Sequence, residues 1–200
     1  MTLAQAVWPR RAESRTAAWG RDAFLAIAFS LLTALSAQAA IPLPWTPVPI
    51  TGQTFAVLLT GALLGPRLGA LAMLLYLIEG LAGLPVFAGG HSAWTPGALP
   101  GTPVILGLSA GYLFSYPFAA ALVGWLATRG WDRKPLTMLA AMLLSSLLIF
   151  AMGAGWLAHF VGPAHAFTAG VLPFLPGDVL KALLAAGLLP LGWKGLGAKR

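Results

Sequence analysis

The feature that most constrains the fold of this chain is a series of long apolar stretches with few or no charged residues. They run over residues 23–41, 104–128, 136–161 and 171–191. A helix rises about 1.5 Å per residue, so each stretch is long enough to cross the hydrocarbon core of a bilayer, which is about 30 Å thick. The pattern predicts an all-α integral membrane protein.

The composition supports this prediction and excludes several kinds of site. Only 8% of the 200 residues are charged and 58% are hydrophobic, whereas about 25% of the residues of a soluble domain are charged. The chain has no cysteine, which excludes disulfides and thiolate metal sites. Its three histidines, at positions 91, 159 and 165, lack the spacing of a metal site. We therefore expect neither a metal nor a cofactor.

A composite apolar block lies between the first two long stretches. Residues 54–64 and 68–84 are both apolar, and Gly65-Pro66-Arg67 separates them. Gly-Pro is a turn signal that interrupts a helix, so the block predicts a helical hairpin of two shorter spans. Together with the four long stretches, the hairpin gives six predicted transmembrane helices.

The positions of the cations predict the topology of these helices. Of the 12 lysines and arginines, all except Lys181 fall on one side of the six-helix arrangement, at positions 10, 11, 15, 21, 67, 129, 133, 134, 194, 199 and 200. The positive-inside rule places that side, with both termini, in the cytoplasm. Because these charges set topology, we expect no nucleic-acid binding despite the net charge of +7. The predicted regions are a cytoplasmic N-terminal segment, a six-helix membrane domain and a basic cytoplasmic tail, over 1–22, 23–192 and 193–200.

The first predicted helix carries small residues at four-residue intervals, Ala26, Ser30 and Ala34. Such a stripe lets another helix approach closely. It is expected either to pack within the protein or to dock a separate membrane subunit, and the sequence leaves both open. The arginines before this helix and the small residues at 36–39 also imitate a cleaved signal peptide. We favour retention of the segment as a helix.

An aspartate and a lysine stand out in the last apolar stretch. Lys181 is the only lysine within a long apolar segment, and Asp178 lies three residues before it. A charge at the bilayer centre costs about 2.5–3.5 kcal/mol on insertion scales, so such groups usually face a cavity, a partner or a ligand. The spacing places both on one helix face. They suit a small ligand with a carbonyl and N–H groups, and the alternative is a structural ion pair.

The loops of the uncharged, outer side are rich in proline and glycine. Residues 41–54 contain four prolines, at 42, 44, 47 and 49. This segment cannot be a regular helix and is expected to be stiff, extended backbone. Residues 83–90 lead into a second long loop of this kind. Irregular backbone at membrane depth is tolerated where it lines a cavity, so both loops are predicted to cover a ligand pocket near Asp178 and Lys181.

Four motifs carry a resemblance to a known family. They are PLPWTPVPITGQT at 42–54, LLGPRLGALAMLLYL at 63–77, GLAGLPVFAGG at 80–90 and LPFLPGDVLKALLAA at 172–186. In this order and spacing they closely resemble the BioY family, the biotin-specific S components of energy-coupling factor (ECF) transporters. The resemblance implies a six-helix protein of a bacterial or archaeal cell membrane that captures biotin from outside. It also implies partners on other chains: a transmembrane coupling subunit and two ATP-binding-cassette ATPases.

The resemblance further implies roles for individual residues. Asp178 and Lys181 match the family's PGD-x-x-K motif, whose Asp and Lys contact the bicyclic head of biotin. The chemistry agrees, because a carboxylate accepts hydrogen bonds from ureido N–H groups and an ammonium donates to the ureido oxygen. Gln53 resembles the glutamine of the first loop motif, and it is expected either to line the pocket or to pin the loop.

The entry to the fourth predicted helix departs from the family pattern. It keeps Gly111-Tyr112 but lacks a Pro-Thr pair, and Glu79 replaces a usually apolar residue. The outer loops have no lysine or arginine to neutralise the carboxylate of biotin. We expect Glu79 to point away from the ligand or to pair with Lys181. The candidates for holding that carboxylate are backbone N–H groups of residues 85–103 and the side chains of Tyr112, Ser92, Ser109 and His91.

Aromatic residues are grouped on the predicted outer side, where they are expected to be interfacial anchors or pocket walls. They are Trp45, Phe87, Trp94, Tyr112 and Phe174. Among these, Trp45, Phe87 and Tyr112 are predicted to line the pocket.

Two other function classes remain to be weighed. An intramembrane enzyme is disfavoured because the sequence lacks G-x-S-x-G and Ser145-Ser146 have no acidic or histidine residue nearby. A channel or stand-alone secondary transporter is the stronger alternative, since Asp178, Lys181 and Glu79 could couple protons. No Walker A motif is present, so the chain itself supplies no ATP-driven step. The sequence leaves open whether the chain acts alone or as a homo-oligomer.

Overall fold

The computed structural model describes residues 2–8 and 14–197 and contains mainly helices. The helices are α1 (Leu3–Val7), α2 (Arg15–Gln38), α3 (Gln53–Leu64), α4 (Pro66–Leu81), α5 (Ala110–Thr128), α6 (Pro135–Val161), α7 (Pro163–Gly170) and α8 (Leu175–Gly195). Two short antiparallel strands, β1 (Ala40–Ile41) and β2 (Ile50–Thr51), form a hairpin between α2 and α3. Short 3-10 turns occupy Ala88–Gly90, Val104–Leu106, Trp131–Arg133 and Leu172–Phe174.

Each of the six predicted apolar segments contains a helix. Four stretches are long and apolar enough to cross a membrane by length and composition: α2, α5, α6 and the run Pro163–Gly195, which includes α7 and α8. The α3 and α4 helices have only 12 and 16 residues. Six membrane crossings and cytoplasmic termini therefore stay predictions. The predicted cations at 10, 11, 199 and 200 lie outside the described residues.

Two predicted helix starts were wrong for local reasons. The fourth apolar segment was expected to be helical from residue 104, but α5 begins at Ala110. Residues 104–106 form a separate 3-10 turn, and the extended backbone of Gly107 interrupts the helix after it. Similarly, the sixth segment was expected to start at residue 171, whereas α8 begins at Leu175 after a 3-10 turn that contains Pro173. Both corrections lengthen the irregular backbone that precedes α5 and α8.

Glycines bring α3, α4 and α5 into close contact. Gly65 has φ +87° and ends α3, and Pro66 then opens α4 without needing an N–H partner. A Cβ atom on Gly61 would lie 2.2 Å from the carbonyl oxygen of Ala120, and one on Gly124 would lie 2.5 Å from the backbone of Gly65. Larger side chains at these positions would force the helices apart. The predicted α3–α4 hairpin is therefore confirmed, and α5 packs against both of its arms.

The small-residue stripe of α2 packs inside the chain. Ser30 has no exposed surface, and its Oγ donates a hydrogen bond of 2.8 Å to Oε1 of Glu79 on α4. Ala34 is also buried in the core, and Ala26 is partly buried against it. The burial of Ser30 and Ala34 therefore favours packing within the protein, and docking of a separate subunit through this stripe stays a prediction.

The two ends of the bundle differ in charge. At one end, Thr2, Arg21, Arg67 and Thr128 line a common groove, which brings the start of α2, the α3–α4 turn and the end of α5 together. The end of α8 lies against the adjacent α5–α6 turn, where Nε1 of Trp193 donates a hydrogen bond of 2.6 Å to Oδ2 of Asp132. The opposite end consists of the hairpin, the long α4–α5 loop and the start of α8.

Candidate ligand-binding site

A cavity of about 410 Å³ opens at the end of the bundle opposite the cationic turns. Its walls come from the β1–β2 connection, the α4–α5 loop, the start of α5 and the first turns of α8, with α6 contributing Phe150. These are the two predicted loops and the predicted polar pair. The cavity volume falls within the range of about 300–1,000 Å³ that is usual for sites of small molecules.

Proline shapes the loop that forms one wall of the cavity. The strands pair Ala40 with Thr51 and Ile41 with Ile50, and the four prolines lie in the connection between them. Proline has no N–H to donate, so this connection cannot continue the ladder. Instead, the Oγ1 of Thr46 accepts a hydrogen bond of 3.2 Å from the N–H of Val48. The loop is irregular, as predicted, and it covers the cavity.

Asp178 reaches the cavity from the first turn of α8. Only 6% of its surface is exposed. Its Oδ1 accepts a hydrogen bond of 2.9 Å from Oγ of Ser146 on α6. Its Oδ2 accepts none from the residues that the structure describes, although it is not one of the fully enclosed polar atoms. One carboxyl oxygen is therefore held by the protein, and the other is left for a ligand.

Lys181 lies one turn further along α8 and also lines the cavity. Its Nζ donates to the carbonyl oxygen of Thr51 at 2.8 Å and to Oγ1 of Thr54 at 2.9 Å. Within the described ranges, no ion pair of 4.0 Å or less joins Lys181 to Asp178. The predicted alternative of a structural ion pair within the helix is therefore wrong. An ammonium has three N–H donors, so one donor of Lys181 is left over.

Gln53 fulfils both of its predicted alternatives, because it lines the cavity and pins the loops. Its Nε2 donates to the hydroxyl of Tyr76 at 2.5 Å, and that hydroxyl donates in turn to the carbonyl oxygen of Val86 at 3.0 Å. Its Oε1 accepts a hydrogen bond of 3.0 Å from Oγ1 of Thr51. This chain connects β2, α4 and the beginning of the α4–α5 loop beneath the cavity.

Several aromatic residues form the apolar wall of the cavity: Phe87, Tyr112, Tyr116, Phe150 and Phe174. The predicted positions of Phe87 and Tyr112 beside the pocket are confirmed. The Tyr112 hydroxyl donates a hydrogen bond of 2.7 Å to the carbonyl oxygen of Gly170. Trp45 is different: 63% of its surface is exposed and it is not among the described lining residues. It protrudes from the proline-rich connection, so its predicted place in the pocket was wrong.

The remaining polar candidates separate into two groups. His91 and Ser109 line the cavity, as expected for groups that could meet a carboxylate. Ser92 does not lie in the described lining. Its N–H and Oγ both engage Oγ1 of Thr95, which turns the side chain into its own loop. The expectation that Glu79 points away from the pocket is confirmed by its hydrogen bond to Ser30.

Comparisons with known proteins identify the family. A family model described as "BioY family" matches residues 10–198. The chain belongs to the BioY family. The chain is 39% identical over 165 residues to "Probable biotin transporter BioY" of Pyrococcus horikoshii, covering 82% of this chain and 91% of the relative. It is 35% identical over 176 residues to "Biotin transporter BioY" of Rhizobium etli, covering 83% and 89%.

A solved structure shows the same fold for this BioY-family chain. It is the crystal structure of the S-component for biotin from an ECF-type ABC transporter. The TM-score is 0.74 at 24% sequence identity, and the match covers 92% of this chain and 95% of the other. The helical architecture of the BioY-family protein is therefore that of an S-component.

Sequence reasoning missed the hydroxyl partners of the polar pair in this BioY-family protein. Ser146 lies 32 residues before Asp178 along the chain, and Thr54 lies 127 residues before Lys181. Nothing in the local sequence distinguishes Ser146 from Ser145, because the two serines are adjacent in the same apolar segment. Thr54 belongs to the first loop motif, which was the available signal for its position near the site. Phe150 was missed because it is one apolar residue in the apolar α6.

Proposed function

We propose that this protein captures biotin at the outer end of the bundle, as the substrate-binding subunit of an ECF-type transporter. The single observation that carries the proposal is the cavity in which Asp178 and Lys181 stand unpaired with each other. Membership of the BioY family supports the choice of biotin, because relatives are named biotin transporters.

The hydrogen-bonding groups that Asp178 and Lys181 leave unused fit the head of biotin. Its ureido ring offers N–H donors and a carbonyl acceptor. In our proposal, Oδ2 of Asp178 accepts from an N–H group and the remaining donor of Lys181 meets the carbonyl oxygen. Charge-assisted hydrogen bonds of this kind are about twice as strong as neutral ones. The apolar part of the bicyclic ring then lies against the aromatic wall that contains Phe150 and Phe174.

The carboxylate of biotin requires a different part of the cavity. His91 and Ser109 line the cavity from the α4–α5 loop, and their side chains make no hydrogen bond to the other described residues. We propose that these two residues, with N–H groups of the α4–α5 loop, hold the carboxylate. Gln53 and Tyr112 also line the cavity, although both already have partners within the protein.

ATP-driven uptake requires ATPases on other chains, since this sequence has no Walker A motif. We propose the partners to be a transmembrane coupling subunit and two ATP-binding-cassette ATPases, as the resemblance to the BioY family implies. The similar solved structure is an S-component from an ECF-type ABC transporter, which supports this proposal. The cationic end would then face the cytoplasm and the cavity the outside, in a multi-pass protein of the cell membrane with six crossings.

The geometry disfavours the stand-alone proton-coupled transporter. That alternative was based on an assembly of Asp178, Lys181 and Glu79. Glu79 instead lies between α2 and α4, where it accepts the hydroxyl of Ser30. Its other oxygen, Oε2, is buried without a partner among the described residues. The three groups therefore do not form one site.

Calorimetric titration of the detergent-purified protein tests the proposed function. Biotin should bind in the nanomolar range, which corresponds to about −12 kcal/mol. Riboflavin and thiamine should give no heat, because thiamine has no ureido group and riboflavin carries its N–H and carbonyl groups on a larger, flat three-ring system. A folded protein that gives no heat with biotin would overturn the proposal. Concentrative biotin uptake by the chain alone in liposomes would replace the ECF-type mechanism with secondary transport.

A further inference from the structure

The polar pair of α8 has an arrangement that local chemistry alone does not produce. Oppositely charged side chains at i and i+3 on a helix are neighbours and usually attract each other. A salt bridge between Asp178 and Lys181 is therefore the default geometry, and burial in a membrane protein strengthens the attraction. The structure shows each residue bound to a hydroxyl on a different helix instead.

We propose that Ser146 and Thr54 are positioning residues that hold Asp178 and Lys181 apart, so that a ligand meets two separate groups instead of a closed ion pair. This inference rests on the proposed function and deepens it. Ser146 is not among the described residues that line the cavity, whereas Thr54 does line it. Ser146 acts from α6 through Oδ1 of Asp178, and Thr54 acts from α3 through Nζ of Lys181.

The hydrogen-bonding groups that remain free on Asp178 and Lys181 define which ligands the site selects. Asp178 keeps one free oxygen, and Lys181 has used two of its three donors on Thr51 and Thr54. The pair therefore offers one acceptor and one donor, one helical turn apart on one face. A ligand with an N–H and a carbonyl on the same edge of a ring satisfies both groups. A cyclic urea has this pattern. A ligand with a cationic group in place of the carbonyl would be repelled by the ammonium of Lys181.

The separation of the Asp178 and Lys181 side chains also determines the fraction of the protein that is ready to bind a ligand. If the two side chains paired, the ligand would first have to open the ion pair, and the apparent affinity would fall by the fraction of protein in the open state. Hydroxyls that hold the groups apart raise that fraction. Removing either hydroxyl should therefore weaken binding even though Asp178 and Lys181 remain, because a larger fraction of the protein would then have the two side chains joined in an ion pair.

The chain provides a matched control for each hydroxyl. Ser145 is buried like its neighbour Ser146, but its Oγ donates to the carbonyl oxygen of Ala141 on its own helix at 2.9 Å. Thr60 lies on α3, the helix that also carries the half-buried Thr54. It is fully buried, and its Oγ1 donates to the carbonyl oxygen of Ala56 at 2.7 Å. Neither control hydroxyl contacts the polar pair.

The experiment measures two dissociation constants for each variant of the full chain. The probes are biotin and an analogue in which an imino group replaces the ureido carbonyl. The wild type should bind biotin at least about a hundredfold more tightly than the analogue. In Ser146→Ala and Thr54→Val, biotin should weaken about tenfold and the ratio of the two constants should fall about as much. Ser146→Thr and Thr54→Ser, which keep the hydroxyl, should restore both values to within about threefold.

The ratio separates positioning from a general structural role. A variant that merely loosens the cavity weakens both probes by the same factor and leaves the ratio unchanged. An unchanged ratio in both Ser146→Ala and Thr54→Val would overturn the inference, as would equal effects of Ser145→Ala or Thr60→Val. Unfolding of both test variants beside folded controls would also overturn it, since the hydroxyls would then be structural. If the wild type does not bind biotin, the proposed function itself fails.

Discussion

The site at Asp178 and the α2–α4 contact at Glu79 contain the same chemical unit in two different settings. In each, a carboxyl group on one helix accepts one hydrogen bond from a serine on another, Ser146 at 2.9 Å and Ser30 at 2.8 Å. In each, the second carboxyl oxygen has no partner among the described residues. The unpartnered oxygen of Asp178 belongs to a residue that lines the cavity, whereas the unpartnered Oε2 of Glu79 is fully enclosed.

The comparison shows that space, and not residue type, separates a binding group from a packing group. Asp178 has a cavity of about 410 Å³ beside it and a lysine one turn away. Glu79 is closed off between two helices, with no described salt bridge to a cation. A small polar ligand can therefore reach only the first carboxyl.

Loss of either charged group at the cavity should abolish tight binding. We expect Asp178→Asn and Lys181→Ala each to weaken biotin at least about a hundredfold, because truncating one partner of a buried hydrogen-bonded charge costs about 2–5 kcal/mol. Calorimetry on the purified variants measures the change. Glu79→Gln is the matched control and should stay within about threefold of the wild type. A similar loss in Glu79→Gln would show that the two carboxyls do not differ as argued.

The enclosed carboxyl should matter for stability instead of binding. Ser30→Ala removes the hydroxyl that Glu79 Oε1 accepts, so we expect the free energy of unfolding to fall by about 1–3 kcal/mol. Thermal unfolding in detergent measures this change. The double variant Ser30→Ala/Glu79→Leu should recover most of the loss, because no buried polar group is then left without a partner. Full stability of Ser30→Ala alone would contradict the role of this hydrogen bond.

A third buried carboxyl, Asp132 in the α5–α6 turn, should respond to pH. Burial raises the pKa of the Asp132 carboxyl, and the hydrogen bond from Trp193 opposes this shift. A raised pKa means that the folded state holds the proton more tightly than the unfolded state. The protein should therefore lose stability as the pH rises from the ordinary aspartate value of about 3.9 up to the raised value in the folded protein.

Asp132→Asn removes this titration while keeping an oxygen for Nε1 of Trp193. We expect the stability of the variant relative to the wild type to increase as the pH is raised above the ordinary aspartate value of about 3.9. Thermal unfolding at several pH values measures the difference. Parallel pH profiles of the two proteins would show that Asp132 has the same pKa in the folded and unfolded states.

The smallest effects are expected at the two predicted site residues that the structure places outside the cavity lining. Trp45→Ala and Ser92→Ala should each change the affinity for biotin by less than about threefold, because Trp45 is exposed and Ser92 is engaged by Thr95. The same calorimetric assay applies. A tenfold loss in either variant would mean that the loop closes over the ligand and extends the site.

From the sequence alone one could predict a helical membrane protein, the approximate positions of six of its helices, the irregular loops around the cavity, and Asp178, Lys181 and Gln53 as part of the cavity lining. These features follow from local rules: hydrophobic length, the breaking of helices by glycine and proline, and the cost of a charge in an apolar segment. The motifs around these residues are also contiguous, so the resemblance to the BioY family could be recognised from short segments.

Only the tertiary structure decided which polar groups meet. Ser30 and Glu79 are 49 residues apart, and Lys181 and Thr51 are 130 residues apart. Because only 8% of the residues are charged, the spacing of apolar residues along a helix does not show which of its faces packs against which neighbour. Close approach at glycines such as Gly61 and Gly124 fixes those faces. For this reason the sequence identified the polar pair, whereas the hydroxyls that hold it apart became visible only when α3, α6 and α8 were packed together.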